Sequence, residues 1–305
     1  MKPITAIVLS FNEEKHITRC INNLFKVVSK VYVVDSFSND ATPILAKNAG
    51  AIVLQHEYVN QAAQFQWALD NCAIDTEWVM RLDADEYLSD ALIEEIQLKI
   101  PSLDQSVTGV SLPFSVIFLG KVLRFGKLRP TKVLRIWRKG SVFMEQRWMD
   151  ERLVLKRGTE ICFKNKFYDH NLKGLDSWIQ KHNSYSNREI IVELNRHYSF
   201  LNSASDHSHR RRDRSKSFYY SLPRFFRAFC YFFIRYILYL GFLDGIRGLI
   251  WLTLQAYWYR FLVDCKLYEI EFYLGRHPTN DQLVNYFSDL YHIDLSQLRN
   301  PKQKD

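Results

Sequence analysis

Residues 78–86 read Trp-Val-Met-Arg-Leu-Asp-Ala-Asp-Glu, an apolar run that stops abruptly at Asp83, Asp85 and Glu86. Carboxylates crowded at one point repel one another unless a cation or a basic group compensates. Hard oxygen ligands favour Mg²⁺ or Mn²⁺, and Mg²⁺ characteristically joins a few carboxylates to substrate phosphates. One reading is therefore a metal–diphosphate site. The other is a helix N-terminus, because Asp and Glu also cap helices. The nine residues alone leave both open. What separates them is whether the run is a strand, and what lies beside it.

The preceding chain supplies the neighbours. Ile4–Leu9 is a continuous apolar run of strand length, as expected for a strand buried on both faces. After Ser10-Phe11-Asn12-Glu13-Glu14, apolar residues recur at Ile17, Cys20, Ile21, Leu24, Phe25 and Val28, which is helical spacing. Val31–Val34 predicts a second buried strand, ending in the polar turn 35–42 and a short helix. A third strand is expected at 51–54, a helix over 61–73 and a fourth strand at 77–82. Such alternation argues for a parallel sheet with helices on both faces. In open sheets of that kind, ligands bind beyond the carboxyl ends of the strands. Three polar loops then fall at one edge: 10–14, 35–40 and 83–86.

Beyond Pro101 the pattern changes to β-like segments at 107–118, 132–137 and 153–155, with a helix from about Leu175 that puts Trp178, Ile179, His182 and Tyr185 on one side. A basic run, 207–216, leads into a segment dense in aromatics and punctuated by Arg224, Arg227, Arg235, Asp244, Arg247 and Arg260. No uncharged stretch of about 18 residues is long enough to span a bilayer. Aromatics interleaved with arginines fit a helix lying in the membrane interface beside anionic lipid; a helical subdomain packed on a core is the alternative. The tail from Thr279 is polar. Lys and Arg number 41 against 33 acidic residues, a net charge of +8 that favours anionic partners. Five widely spaced cysteines, with no CxxC pair, indicate neither zinc nor a disulfide framework and suit a reducing compartment. The N-terminus runs directly into strand-like sequence without the pattern of a signal peptide, so the expected location is cytosolic.

Taken together, the three loops resemble those of the family 2 glycosyltransferases of the GT-A fold. Phe11-Asn12-Glu13-Glu14 matches that family's Tyr/Phe-Asn-x-Glu segment, Val34-Asp35-Ser36-Phe37-Ser38-Asn39-Asp40 its Val-Asp-Asp-Gly-Ser-Thr-Asp loop, and Asp83-Ala84-Asp85 its DxD motif. Ser36 and Phe37 stand where the family has Asp-Gly. The resemblance covers residues 1–195 and implies an α/β, Rossmann-like, mostly parallel sheet. It implies that Glu13 and Asp35 contact the nucleoside of a nucleotide sugar, that Asp83 faces the ribose or diphosphate, and that Asp85 ligates Mn²⁺ or Mg²⁺. Asp40 is either a further site residue or a turn former.

Inverting transfer also needs a general base opposite the leaving diphosphate. The resemblance places it in the acidic pair Asp150-Glu151, with Glu151 ahead, and makes His170 a candidate late ligand for the metal or diphosphate. Lys181-His182-Asn183-Ser184-Tyr185-Ser186 resembles a segment of bacterial members that act on surface polysaccharides. Arg129, Arg135 and Arg138 are either phosphate ligands or ordinary strand residues. Glu86 is expected to do no more than cap the following helix. Gln146-Arg147-Trp148 lacks the QxxRW spacing of processive synthases, so one sugar per event is expected.

The organisation expected is a catalytic domain over 1–200, a basic and aromatic membrane-associating region over 201–278, and a polar tail over 279–305. Its partners would be a nucleotide-sugar donor, probed first as a UDP-hexose, a lipid-linked saccharide acceptor (O-antigen, capsule or lipopolysaccharide core) and the anionic cytoplasmic face of a bacterial inner membrane. A nucleotidyltransferase would carry a glycine-rich basic loop after its first strand, where this chain has the acidic loop 10–14. A nucleic-acid binder using residues 210–216 fits less well than lipid, because that run adjoins strongly apolar sequence.

Overall fold

The computed structural model describes residues 3–126, 132–144, 153–201, 219–293 and 295. The chain divides into two compact units, one made chiefly of residues before Gly174 and the other chiefly of those from Leu175 onward. The expected boundary near residue 200 is thus displaced: the long helix Gly174–Tyr198 goes almost wholly with the second unit.

In the first unit, β1 (Ile4–Ser10), β2 (Lys30–Asp35), β3 (Ile52–Gln55) and β4 (Trp78–Asp83) pair in parallel in the order β3-β2-β1-β4. Three further strands used below are β5 (Glu86–Leu88), β6 (Val107–Phe118) and β8 (Lys132–Arg138), where β7 (Lys121–Val122) is a two-residue strand on β6. β8 runs antiparallel between β4 and β6, β9 (Val142–Met144) and β10 (Leu153–Leu155) pair with each other, β11 (Thr159–Cys162) pairs with β6, and β12 (Phe167–Asp169) joins β6 to β5. The first three strands step outward from β1 while the fourth returns to its other side. That reversal opens a crevice at the carboxyl ends.

The unbroken apolar run of β1 follows from its position. Alternate residues point to opposite faces of a strand. Ile4, Ala6 and Val8 pack with Ile17, Cys20, Ile21 and Leu24 of α1 (Ile17–Leu24). Ile7 packs on the other face with Ala62, Phe65 and Ala68 of α3 (Gln61–Asn71) and with Trp137. Between them, α2 (Thr42–Asn48) adds Ala46 to the first face. Both faces are covered by helix, as the alternation required. Glu86 does not cap a helix as expected. It lies in β5, and the cap of α4 (Asp90–Lys99) is Ser89, whose hydroxyl accepts from Leu92 N at 3.2 Å.

The second unit is helical: α5 (Gly174–Tyr198), α6 (Phe226–Phe233), α7 (Gly245–Leu252), α8 (Tyr259–Leu274) and α9 (Asn280–Tyr291). Wide π-helical turns at Ile234–Leu238 and Thr253–Trp258 continue α6 and precede α8. Its core brings Ile190, Ile191 and Leu194 against Val263, Leu267, Leu283 and Phe287. The expected polar tail is therefore wrong from Thr279 to Tyr291. Thr279 and Gln282 form a reciprocal capping box, and Leu283 and Phe287 are fully buried. Leu283 and Phe287 stand at the helical spacing i, i+4 within this segment, and that spacing with the Thr279–Gln282 cap was the signal for it in the sequence.

Candidate active site

Register alone aligns the polar loops. Ser10 pairs with Asp35 across β1 and β2, and Leu9 pairs with Asp83 across β1 and β4. Neighbouring strands lie about 4.8 Å apart, so the three strand ends meet at one edge within about 10 Å.

The first two loops are laced together. Asn12 N donates to Ser38 Oγ at 2.8 Å, Asn39 N donates to Asn12 Oδ1 at 2.8 Å, and Glu13 N donates to Thr42 Oγ1 at 2.7 Å. Asp40 accepts from Thr42 N at 2.9 Å and from Glu14 N at 3.2 Å, so it is a turn former at the start of α2. Despite partial burial, the donors from Thr42 and Glu14 hold its carboxyl below the ordinary value. Phe37, which stands at the family's glycine, has φ = 58° with its ring exposed. The turn demands a left-handed residue, and a non-glycine there costs about 1–2 kcal/mol.

Asp35 is completely buried. Its oxygens accept from Ser10 Oγ at 3.0 Å, Ser38 N at 2.9 Å and Ser38 Oγ at 2.5 Å. These bonds fix the turn 35–38. Glu13 is similarly engaged. Oε2 lies 2.6 Å from His16 Nδ1 and Oε1 accepts from Lys173 Nζ at 2.6 Å. Burial alone would raise the Glu13 carboxyl, but the His16 and Lys173 contacts outweigh it and hold the group below its ordinary value. His16 is buried and its Nε2 accepts from Leu172 N at 2.7 Å, so Nδ1 carries the proton that Glu13 receives. This chain ties the segment after β12 to the loop after β1.

Around the DxD motif the arrangement differs. Asp83 Oδ1 accepts from Arg81 Nε at 3.3 Å, and Oδ2 lies 3.5 Å from the Arg135 guanidinium. Arg135 is buried, donates to Glu86 Oε1 at 2.5 Å and lies over the Phe167 ring. Glu86 Oε2 also accepts from Asp83 N at 2.9 Å. Burial, with the Asp83 carboxylate nearby, holds the Glu86 carboxyl well above its ordinary value even though Arg135 pulls it back. Glu86 and Arg135 thus hold the backbone and side chain of Asp83 from beneath. Arg138, by contrast, is structural: it donates to Val107 O at 2.9 Å, pairs with Glu77 and covers Trp78.

Asp85 is half-buried, and Asn171 Nδ2 donates to its Oδ2 at 3.4 Å. Its backbone carbonyl accepts from Arg19 at 3.0 Å and from His170 N at 3.0 Å. His170, the candidate late ligand for the metal or diphosphate, is therefore brought to the motif. Arg19 donates to its Nδ1 at 3.1 Å, and burial and Arg19 both keep the ring below its ordinary pKa. Among the described residues no three His, Cys, Asp or Glu side chains converge on one point. The donor set fits a cation that arrives on a diphosphate and takes a single carboxylate, Asp85, since Mg²⁺ keeps most of its shell as water and phosphate oxygen.

Arg19, Lys173 and Asn171 carry much of this geometry and have no sequence signal, since each meets its partners only through long-range contacts. Asp150, Glu151 and Arg129 lie outside the described residues.

Residues 5–149 match the family model described as glycosyl transferase family 2. Over those residues the chain is similar to a family 2 glycosyltransferase domain. The three motifs and the strand order now have one explanation, a GT-A sheet. A Rickettsia typhi protein described as an uncharacterized glycosyltransferase is 37% identical over 105 residues, covering 34% of this chain and 35% of that one. The lipopolysaccharide core biosynthesis glycosyltransferase LpsC of Rhizobium meliloti is 28% identical over 144 residues, covering 46% of this chain and 52% of that one. The chain thus spans about a third to a half of the length of these relatives. Glucosyl-3-phosphoglycerate synthase from Mycobacterium tuberculosis, solved with Mg²⁺ and UDP, superimposes at a TM-score of 0.32 with 20% identity over 37% of this chain and 44% of that one.

Proposed function

We propose that the chain is an inverting, non-processive glycosyltransferase that moves one sugar from a nucleotide sugar, a UDP-hexose in the first instance, to a lipid-linked glycan of a bacterial surface polysaccharide. The observation that carries this reading is the alignment of Asp35, at the end of β2, with Asp83 and Asp85, at and just after the end of β4, on the two parallel strands that flank β1 in a region similar to a family 2 domain. The likeness to LpsC favours the lipopolysaccharide core among the possible acceptors.

In this reading the acceptor hydroxyl attacks the anomeric carbon as the bond to the diphosphate breaks. Asp85 holds a divalent cation, Mn²⁺ or Mg²⁺, which when bound supplies Lewis-acid stabilisation to the leaving diphosphate. Asp83, set by Arg81 and Arg135, faces the ribose or diphosphate. Asp35 and Glu13 shape the nucleoside end through the turn 35–38 and the segment 171–173. Asp150 or Glu151 takes the acceptor proton on the opposite face. The enzyme works at the cytoplasmic face of the inner membrane as a peripheral protein.

The test is a screen of nucleotide sugars with Mn²⁺ and lipid-diphosphate saccharide acceptors, read as hydrolysis or transfer. Transfer should need the metal and vanish in Asp85→Ala. Separate Asp150→Ala and Glu151→Ala variants should differ sharply if one of them is the base. Unchanged turnover of Asp85→Ala overturns the site.

A further inference from the structure

Within the second unit, the segment Phe226–Ile246 is built inside out. Each of its exposed positions is apolar, a tyrosine or a glycine, with Phe229, Phe233, Leu238, Leu243 and Ile246 between about half and two-thirds exposed. Its charged residues, Arg227, Arg235 and Asp244, are all buried. Arg227 Nε donates to Asp264 Oδ1 at 2.9 Å, Arg235 Nε donates to Gly126 O at 2.8 Å, and Asp244 accepts from Phe125 N at 2.9 Å. Arg227 and Arg235 therefore point inward, while Arg224 and Arg247 are exposed at the two ends of the segment; the basic run expected to face anionic lipid lies outside the described residues.

A water-facing helix would place these groups the other way round, because desolvating a charge is far costlier than leaving it in water. In hydrocarbon the preference reverses: charges turn to the protein interior and pair. The exposed aromatics and aliphatics form a face of several hundred Å², at about 150–250 Å² for a whole aromatic side chain, larger than the ordinary patch of a monomer.

No single helix among the described residues is long and apolar enough to cross a membrane; only the pair Phe226–Leu238 and Gly241–Leu274, bent by 70°, passes by length and composition. At about 1.5 Å per residue the first limb is roughly 20 Å long, short of a core about 30 Å thick. The bend is tight by construction. A Cβ on Gly241 would press on the Arg235 carbonyl, and one on Gly248 on the Gly241 carbonyl. Small residues at these two places let the backbones close up.

We infer that this bent pair is a monotopic anchor whose apolar face lies in one leaflet, so that the bilayer's hydrocarbon, and not its anionic headgroups, is the principal partner. The inference rests on the membrane part of the proposed function and is independent of the sugar chemistry. Charge complementarity argues for lipid over a second copy of the chain: between Phe226 and Ile246 the face has no exposed charge or amide to set the register of a protein partner, and the exposed arginines Arg224 and Arg247 stand only at its ends, where long cationic side chains reach headgroups.

The test is flotation of the full chain with vesicles of neutral phosphatidylcholine and of an anionic mixture. Expected is binding to both that survives about 1 M salt, where the Debye length is near 3 Å. The triple variant Phe233→Glu, Leu238→Glu, Leu243→Glu should lose roughly tenfold or more of this binding. It should keep its melting temperature and its metal-dependent hydrolysis of the donor, which separates loss of the anchor from loss of the sugar site. Binding to anionic vesicles alone, release by salt, or an unaltered triple variant overturns the inference. So does a stable dimer, seen by light scattering, that the same substitutions dissociate.

Discussion

Each unit buries an arginine against a carboxylate, and the surface above the pair differs completely. In the first unit Glu86 and Arg135 lie beneath an edge that carries Asp83 and Asp85, both still partly open. In the second, Arg227 and Asp264 lie beneath Phe226 and Phe229, which are more than half exposed. A buried ion pair is weak evidence of stabilisation, since desolvation offsets much of its attraction. What covers it is more telling. Charge below and charge above fits an aqueous polar crevice; charge below and aromatics above fits a face made for an apolar medium.

The comparison can be broken most forcefully at the crevice. Asp85→Ala should reduce metal-dependent transfer by about 10³-fold or more, as for loss of a principal group stabilising transition-state charge. Added Mn²⁺ should not restore the rate, and the melting temperature should stay near that of the parent.

Next come the buried pairs. Removing one partner, by Arg135→Met or Arg227→Met, should destabilise the chain by about 3–5 kcal/mol, because an unpaired carboxylate is left inside. Only Arg135→Met should also release Asp83, read as a raised KM for the donor under conditions where the variant is folded. A matching change in Arg227→Met would undo the contrast between the units.

Smaller effects are expected at the lacing of the loops. Lys173→Met should cost at most about 1 kcal/mol, the range of a partly exposed pair. Glu13 has a folded pKa below its ordinary 4.5, so its contribution is complete above that pH and is lost as the pH falls through the depressed value. Acid titration of Glu13→Gln by circular dichroism should therefore show a shallower loss of stability in that window. A slope identical to the parent's would remove the Lys173–Glu13–His16 chain from the account.

Smallest of all is Phe37→Gly. Relief of a left-handed phenylalanine should stabilise the first unit by up to about 1 kcal/mol, a rise of a few degrees in melting temperature. If the exposed ring serves the donor, KM should rise at the same time; if it does not, only stability should move.

Much of this crevice was legible in the chain. Strands buried on both faces leave unbroken apolar runs, and Ile4–Leu9, Val31–Val34 and the run before Asp83 announced β1, β2 and β4 with boundaries off by a residue or so. The loops that follow were equally readable, since their Asn, Asp and Glu had to sit at strand ends. Glu86 and His170 were not. A carboxylate after a DxD motif looks the same in sequence whether it caps a helix or receives Arg135 from a strand 49 positions later. Likewise, nothing adjacent to His170 shows that Arg19, 151 positions earlier, takes its Nδ1.

By itself, then, the sequence determined where β1, β2 and β4 lie and which residue types follow them, because periodicity and turn chemistry are local. Which carboxylates remain reachable was decided only by tertiary structure, through contacts between strands and loops far apart in the chain. The same holds for the arginines of the second unit. Composition marked them as interleaved with aromatics, but the direction each side chain faces depends on a partner such as Asp264, and that partner is met only when the helices pack.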